Sequence, residues 1–265
     1  MRAALALALA LTAGSARAES TIHAFDAFLQ REGCAIGPSV LERAAAQGLD
    51  VAYFERLASP AVEEGVAQTA GDWVLLGPEV CKILMPVVDA EFSLENLPPF
   101  HTVRYYEAGE SVRSEGCYLE SQIELAVLEL AELRDIDVDA AHKLITAFKA
   151  REIALGRLVS GYSDNPMFPP WTRVTATGHC GEAPDIADLQ AHQNWVQMNF
   201  GTITRAGFEQ LTCGEAGSLD LGAVNGLSGE TPNGYPLWDI FLLQDAAGWS
   251  EGAGTGRPPI CRPAN

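Results

Sequence analysis

The sequence lacks the short motifs that mark the commonest metal and redox sites. None of its six cysteines forms a C-x-x-C pair, which argues against a thioredoxin-like redox site and a zinc ribbon. None of its five histidines lies three or four residues from another, so no single helix can present two of them to one metal ion. We therefore expect no metal site and no bound cofactor. The histidines are His23, His101, His142, His179 and His192.

Two glycine-containing segments fall short of catalytic loops. The Gly-Leu-Ser-Gly sequence at residues 226–229 has Glu230 where a G-x-S-x-G nucleophile elbow needs its second spaced glycine. The glycine-rich segment 252–256 is followed by Arg257 and two prolines, so it lacks the helix whose N-terminal amides would cradle a phosphate. We interpret both segments as loops.

Basic residues are also scarce. The chain has 17 Lys and Arg against 35 Asp and Glu, a formal net charge of −18 at pH 7. Such a charge repels nucleic-acid phosphates and anionic lipid headgroups, so neither is an expected partner. A cationic ligand or a basic partner is compatible with it, and so is a simple role in solubility.

Long apolar runs are absent after the first residues. Arg2 precedes an apolar run over residues 3–13, and Ala16-Arg17-Ala18 has the small-x-small pattern of a signal-peptide cleavage site. Eleven residues are too few for a membrane span of about 20 residues. We predict a signal peptide over residues 1–18, no membrane insertion after its cleavage, and a periplasmic or secreted bacterial protein. Cleavage would leave 15 basic and 35 acidic residues, a net charge of −20.

The chain also contains an internal repeat. The tripeptide Glu-Gly-Cys at residues 32–34 recurs at residues 115–117. Each copy precedes a helical stretch, an Asp-Val pair and a tryptophan eight or nine residues before the next cysteine. A fainter third copy begins at Trp195, with Gly201 in place of the cysteine. The repeat predicts two or three units after the signal peptide, at residues 19–88, 89–182 and 183–265.

Six cysteines in an exported chain predict three disulfides. Six cysteines allow 15 pairings, and the repeat favours the sequential one, in which each link closes one unit. The third pair follows by elimination. The predicted links are Cys34–Cys81, Cys117–Cys180 and Cys213–Cys261.

Local patterns predict an α+β fold that is mostly α. Apolar residues recur at helical spacing from Leu119 to Leu133 and from Ala141 to Phe148, and Asp50 and Asp137 suit helix N-caps. Segments 72–76 and 171–176 suit short strands. We therefore expect disulfide-closed helical units, each ending in a short β ribbon, with a winged-helix-like outline. In the tail we predict a strand from Tyr235 to Gln244 and an extended strap over residues 257–265.

Loops rich in proline and aromatic residues are the best candidates for binding. Rigid loops that carry aromatic rings and acids suit a sugar or peptide ligand, although such rings also cap hydrophobic cores. The candidate residues are His101, Tyr105, Tyr106, Glu107, Phe168, Trp171, Tyr235 and Trp238.

No motif in the chain specifies a reaction. We therefore predict a non-catalytic periplasmic binding or interaction protein, whose partner is a periplasmic protein, a peptide or a sugar. The alternative is a periplasmic hydrolase that uses carboxylates near these loops, such as Glu107 and Glu110, as general acid or base.

Overall fold

The computed structural model describes residues 23–96, 103–107, 110–114, 123–160, 173–176, 181–182, 186–214, 219–229, 236–251 and 256–263. Within these residues the fold is mixed α+β, with more helix than strand and with small antiparallel sheets. The predicted signal peptide, and the predicted Cys117–Cys180 link, lie outside the described residues.

The first part of the chain combines three helices with a three-stranded antiparallel sheet in the order β1-β3-β2. Asp50 caps the third helix as predicted, because its carboxylate accepts a hydrogen bond from the amide of Ala52. The elements are α1 (residues 23–31), β1 (Ala35–Ile36), α2 (Pro38–Ala46), α3 (Val51–Glu63), β2 (Ala67–Ala70) and β3 (Trp73–Leu76).

The rest of the chain adds two strand pairs and four helices among the described residues. Asp137 caps α5 as predicted, with its carboxylate accepting from the amide of Ala140. Helix α5 packs on α4 and α7, and α6 packs on β6 and α7. The elements are β4 (Val103–Glu107), β5 (Glu110–Ser114), α4 (Ile123–Arg134), α5 (Val138–Ala154), β6 (Leu158–Ser160), β7 (Arg173–Thr175), α6 (Ile186–Gln210) and α7 (Pro236–Ala246).

One hydrophobic core runs through the described residues from Phe25 to Trp249. It includes side chains from all three predicted units, such as Phe54, Phe148 and Phe200, each at most 1% exposed. The packing is therefore continuous across the predicted unit boundaries.

The predicted strand from Tyr235 to Gln244 is wrong, because residues 236–246 form helix α7. A helical pattern was hard to read here because apolar residues lie on several sides of the helix. Ile240 and Leu243 are buried, whereas Trp238 is 58% exposed. Proline is well tolerated at the first position of a helix, which is where Pro236 lies.

Two further expectations need correction. Leu133, expected on the buried face of α4, is 62% exposed near the end of the helix. The proposed third copy compares Phe28–Glu42, which contains a helix end, a turn and a strand, with a stretch that is helical throughout in α6. These two stretches do not share a backbone conformation.

Two of the predicted disulfides are present. Cys34 is linked to Cys81 and Cys213 to Cys261, with Cα atoms 5.7 Å and 5.2 Å apart. The tail is held at Cys261 as predicted, but residues 258–260 form a turn instead of an extended strap. Beside that turn, Thr212 and Arg262 form a parallel β-bridge.

Candidate functional site

Most of the predicted binding residues fall outside the part of the chain whose side chains the structure describes. His101, Phe168, Trp171 and Tyr235 are among these residues. The structure places Trp238 on the surface of α7.

The remaining candidates share one strand. Tyr105, Tyr106 and Glu107 are consecutive residues of β4, and in the β4–β5 hairpin Glu107 pairs with Glu110. The described backbone thus puts the two predicted carboxylate residues on adjacent strands, while their side chains lie outside the described atoms.

The described residues line a cavity of about 720 Å³ that is partly open to solvent. One wall is the segment 78–85 that follows β3, the second is the face of α6 from Gln197 to Gln210, and the third is the loop 223–228. We call this space the α6 cavity. Its volume falls within the range of about 300–1,000 Å³ that is typical of small-ligand sites.

A glycine in α6 allows the first wall to approach the helix. A Cβ atom at Gly201 would lie 2.4 Å from the carbonyl oxygen of Ile83, closer than real side chains approach. The wall is also fixed by the Cys34–Cys81 disulfide and by a hydrogen bond of 2.9 Å from the amide of Leu84 to the carbonyl of Gln30. The wall is thus held in place at several points.

A buried asparagine holds the third wall. Asn199 Nδ2 donates to the carbonyl oxygen of Ser228 at 3.0 Å, and the Ser228 amide donates back to Asn199 Oδ1 at 2.7 Å. This reciprocal pair fixes the loop against α6, so that contacts within the protein hold the first and third walls against the helix.

Arg205 is the most informative side chain of the cavity. Its guanidinium is half-buried and donates to two backbone carbonyls, that of Leu76 at the end of β3 at 3.0 Å and that of Cys81 in the first wall at 3.3 Å. Burial lowers the pKa of Arg205, and the negative charges of Glu209 and Glu79 oppose that shift. Among the described residues no carboxylate lies within ion-pair distance of Arg205.

The rest of the lining combines exposed charges with apolar side chains. Lys82 on the first wall and Glu209 on α6 are both exposed and line the cavity. Met85 and Met198 also line it, and Met198 is 65% exposed. Methionine side chains are flexible and polarizable, so they adapt to apolar groups of different shape. The cavity therefore offers two positive groups, one negative group and an adaptable apolar surface.

A second charged cluster, around Arg257, serves the fold. Arg257 is 1% exposed, and its guanidinium lies 2.8 Å from Glu32 Oε2 and 3.3 Å from Glu251 Oε1. It also lies 5.4 Å and 5.0 Å from the ring centroids of Trp73 and Trp249. Burial lowers the pKa of Arg257 to about 10, so the group stays charged at neutral pH. This cluster attaches the tail to the first helices.

A third polar cluster joins β6, β7 and α7. Asp239, 1% exposed, accepts hydrogen bonds from Ser160 Oγ at 2.9 Å and from the Arg173 guanidinium at 3.0 Å. His192 lies in the same charge environment: burial lowers its pKa and the charge of Asp239 opposes the shift. Because the hydroxyl of Ser160 donates to a carboxylate and not to a histidine, the group does not form a nucleophilic triad.

The described residues contain no group of three or more His, Cys, Asp and Glu side chains arranged to hold a metal ion. In the same part of the chain no helix combines the length and apolarity that a bilayer span requires.

The sequence did not reveal the α6 cavity, because its walls come from segments more than a hundred residues apart. Two sequence features could have indicated it. Basic residues are scarce, so Lys82 and Arg205 were candidates for a site, and Gly201 lies inside a long helix, where a glycine often marks a close contact. No known protein family, curated protein or solved structure matches the chain.

Proposed function

We propose that the chain is an exported binding protein that holds an amphipathic ligand with an anionic group in the α6 cavity. The observation that carries this proposal is Arg205, a half-buried cation that lines the cavity with no described carboxylate within ion-pair distance. Hydrogen bonds to charged groups contribute more than neutral ones, and a partly buried site is screened less by salt. An anionic ligand would supply the directly hydrogen-bonded counter-charge that Glu209 and Glu79, the described acids whose charges act on Arg205, do not.

The two backbone hydrogen bonds of Arg205 support this role. They fix the guanidinium plane against Leu76 and Cys81 and use two of its five N–H donors. A guanidinium held in this way loses little conformational entropy when it binds a carboxylate. Lys82, on the first wall, adds a second positive charge to the lining.

The export of the protein is part of the same proposal. The predicted leader, the two disulfides and the acidic composition are typical of a periplasmic or secreted protein. We also propose that residues 23–76 form a winged-helix-like unit, because their order of helices and strands and the β1-β3-β2 sheet match that outline. Its role here would be to hold the first wall of the cavity, through the Cys34–Cys81 disulfide and the hydrogen bond from the Leu84 amide to Gln30.

The proposal is tested by calorimetric titration of the mature protein with N-acetylated tripeptides of alanine and leucine. These probes carry one carboxylate and apolar side chains. We expect saturable binding that weakens at least fivefold when the peptide C-terminus is amidated, because the counter-charge to Arg205 is then lost. Equal affinity for the neutral amides, or no binding of the acids, would contradict the proposal.

A lysine pair provides the matched control. Lys82 and Lys143 are both exposed, but only Lys82 lines the cavity. Lys82→Gln should weaken acid binding about threefold, the effect of one exposed charge pair. Lys143→Gln makes the same change in net charge on α5 and should leave the affinity unchanged.

A further inference from the structure

We infer that the ligand of the α6 cavity is a short peptide with both termini free, bound with its carboxylate at Arg205 and Lys82 and its ammonium group at Glu209. This inference rests on the proposed function and narrows its ligand class.

The cavity is lined by charges of both signs, and one charge of each sign lies on α6. Arg205 and Glu209 lie one helical turn apart, and both line the cavity. In the described residues neither side chain forms an ion pair within 4.0 Å, although the i, i+4 spacing would permit one. Arg205 instead donates to the backbone carbonyls of Leu76 and Cys81, which leaves Glu209 available at the exposed end of the helix.

The end of α6 further favours a cation near Glu209. The helix ends at Gln210, so its last carbonyl groups and the negative end of its dipole lie beside Glu209. A positive group placed there interacts with both the carboxylate and the dipole. An ammonium group suits this position, whereas a second carboxylate would be repelled.

The apolar part of the cavity fits the body of a peptide. Leu84, Met85 and Met198 line it and are at least partly exposed. These side chains select for hydrophobic bulk without demanding one shape. A ligand with only a carboxylate would leave Glu209 unused, and one with only an amine would leave Arg205 unused. A free short peptide satisfies both ends, and the overall excess of acid in the chain does not oppose its neutral net charge.

The test compares three forms of the same Ala/Leu tripeptides, with free termini, N-acetylated and C-amidated, by calorimetry on the mature protein. We expect the free form to bind best, acetylation to weaken binding about threefold, and amidation to weaken it at least fivefold. In Glu209→Gln, the free and acetylated forms should bind equally well. Glu132→Gln, an exposed acid on α4 outside the cavity, is the matched control and should retain the preference for free peptides.

The outcomes separate the two claims. If acetylated and free peptides bind equally to the unaltered protein while amides bind weakly, the zwitterionic ligand is wrong and the anionic site stands. If amides and acids bind equally, or no form binds, both claims fail. If Glu209→Gln keeps the full preference for free peptides, the ammonium site is not at Glu209 and the inference is overturned.

Discussion

Two arginines of this chain occupy opposite kinds of environment. Arg257 is almost fully buried, faces Glu32 and Glu251, and lies beside two tryptophan rings. Arg205 is half-buried, donates within the described part of the chain to backbone carbonyls only, and lines an open cavity. A buried charge requires partners within the protein, and Arg257 has them. Arg205 is less buried and can stay charged without a carboxylate in direct contact. A ligand can therefore provide that contact.

Each region also has its own disulfide. Cys34–Cys81 holds the wall of the α6 cavity, and Cys213–Cys261 holds the tail that carries Arg257. The two links close loops of 47 and 48 residues. The chain-entropy model therefore assigns both about 4 kcal/mol of stabilisation.

Replacing either cystine by two alanines should therefore lower the free energy of unfolding by about 4 kcal/mol, the largest effect we predict. Only Cys34→Ala/Cys81→Ala should also weaken peptide binding, because only that link holds the cavity wall. Urea unfolding and calorimetric titration of the two double variants measure this. A tail variant that loses binding as strongly as the wall variant would break the comparison.

Arg257→Met should lower the free energy of unfolding by about 3 kcal/mol, because it removes the buried one of the two arginines that contact Glu32 and Glu251 and leaves only the more exposed Arg43 beside them among the described ion pairs. Arg205→Met should lower the free energy of unfolding by only about 1 kcal/mol, because the groups that lose their hydrogen-bond donor are two backbone carbonyls. The exposed pair of Arg56 and Asp50 supplies the control, since Arg56→Gln should change stability by less than about 1 kcal/mol. Equal losses for Arg257→Met and Arg205→Met in urea titrations would refute the distinction.

Gly201→Ala tests the wall of the cavity directly. A methyl group there would displace the carbonyl of Ile83. We therefore expect the free energy of unfolding to fall by about 2 kcal/mol and peptide binding to weaken. Gly207→Ala is the matched control in the same helix, where the nearest atom, the carbonyl oxygen of Ile260, lies at 3.2 Å. Thermal unfolding should show the smaller loss at Gly207, and the reverse order would mean that the wall does not pack as described.

The smallest effect concerns His192. Because burial lowers its folded-state pKa below the ordinary 6.5, the unfolded chain binds more protons below that pH, and stability falls as the pH drops from 6.5. We expect the free energy of unfolding to fall by less than about 1 kcal/mol between pH 6.5 and 5.5. The His192→Gln variant should not show this dependence on pH. Urea unfolding at both pH values measures it, and an unchanged slope in the variant would show that other groups cause it.

Patterns among neighbouring residues of the sequence predicted more of the fold than of the α6 cavity. Asp50 and Asp137 were recognisable as caps because capping depends on neighbours in the sequence. The α7 helix was missed because an apolar residue such as Phe241, 39% exposed, obscures its period.

The α6 cavity depends on contacts over a long distance in sequence. Arg205 bonds to Leu76 across 129 residues, and no local pattern encodes that contact. The overall acidity was compatible with a cationic partner and argued against anionic ones such as nucleic acids, whereas Lys82 and Arg205 give the cavity local positive charge. The net charge of the chain therefore did not predict the charge of the α6 cavity.

The most direct test of the central claim follows the Nε–H signals of the two arginines by ¹⁵N-edited NMR as free Ala/Leu tripeptide is added. Our account predicts that the Arg205 signal shifts and saturates with the calorimetric affinity, while the Arg257 signal stays in place. A titration in which Arg205 does not respond, or in which Arg257 moves alone, would contradict it.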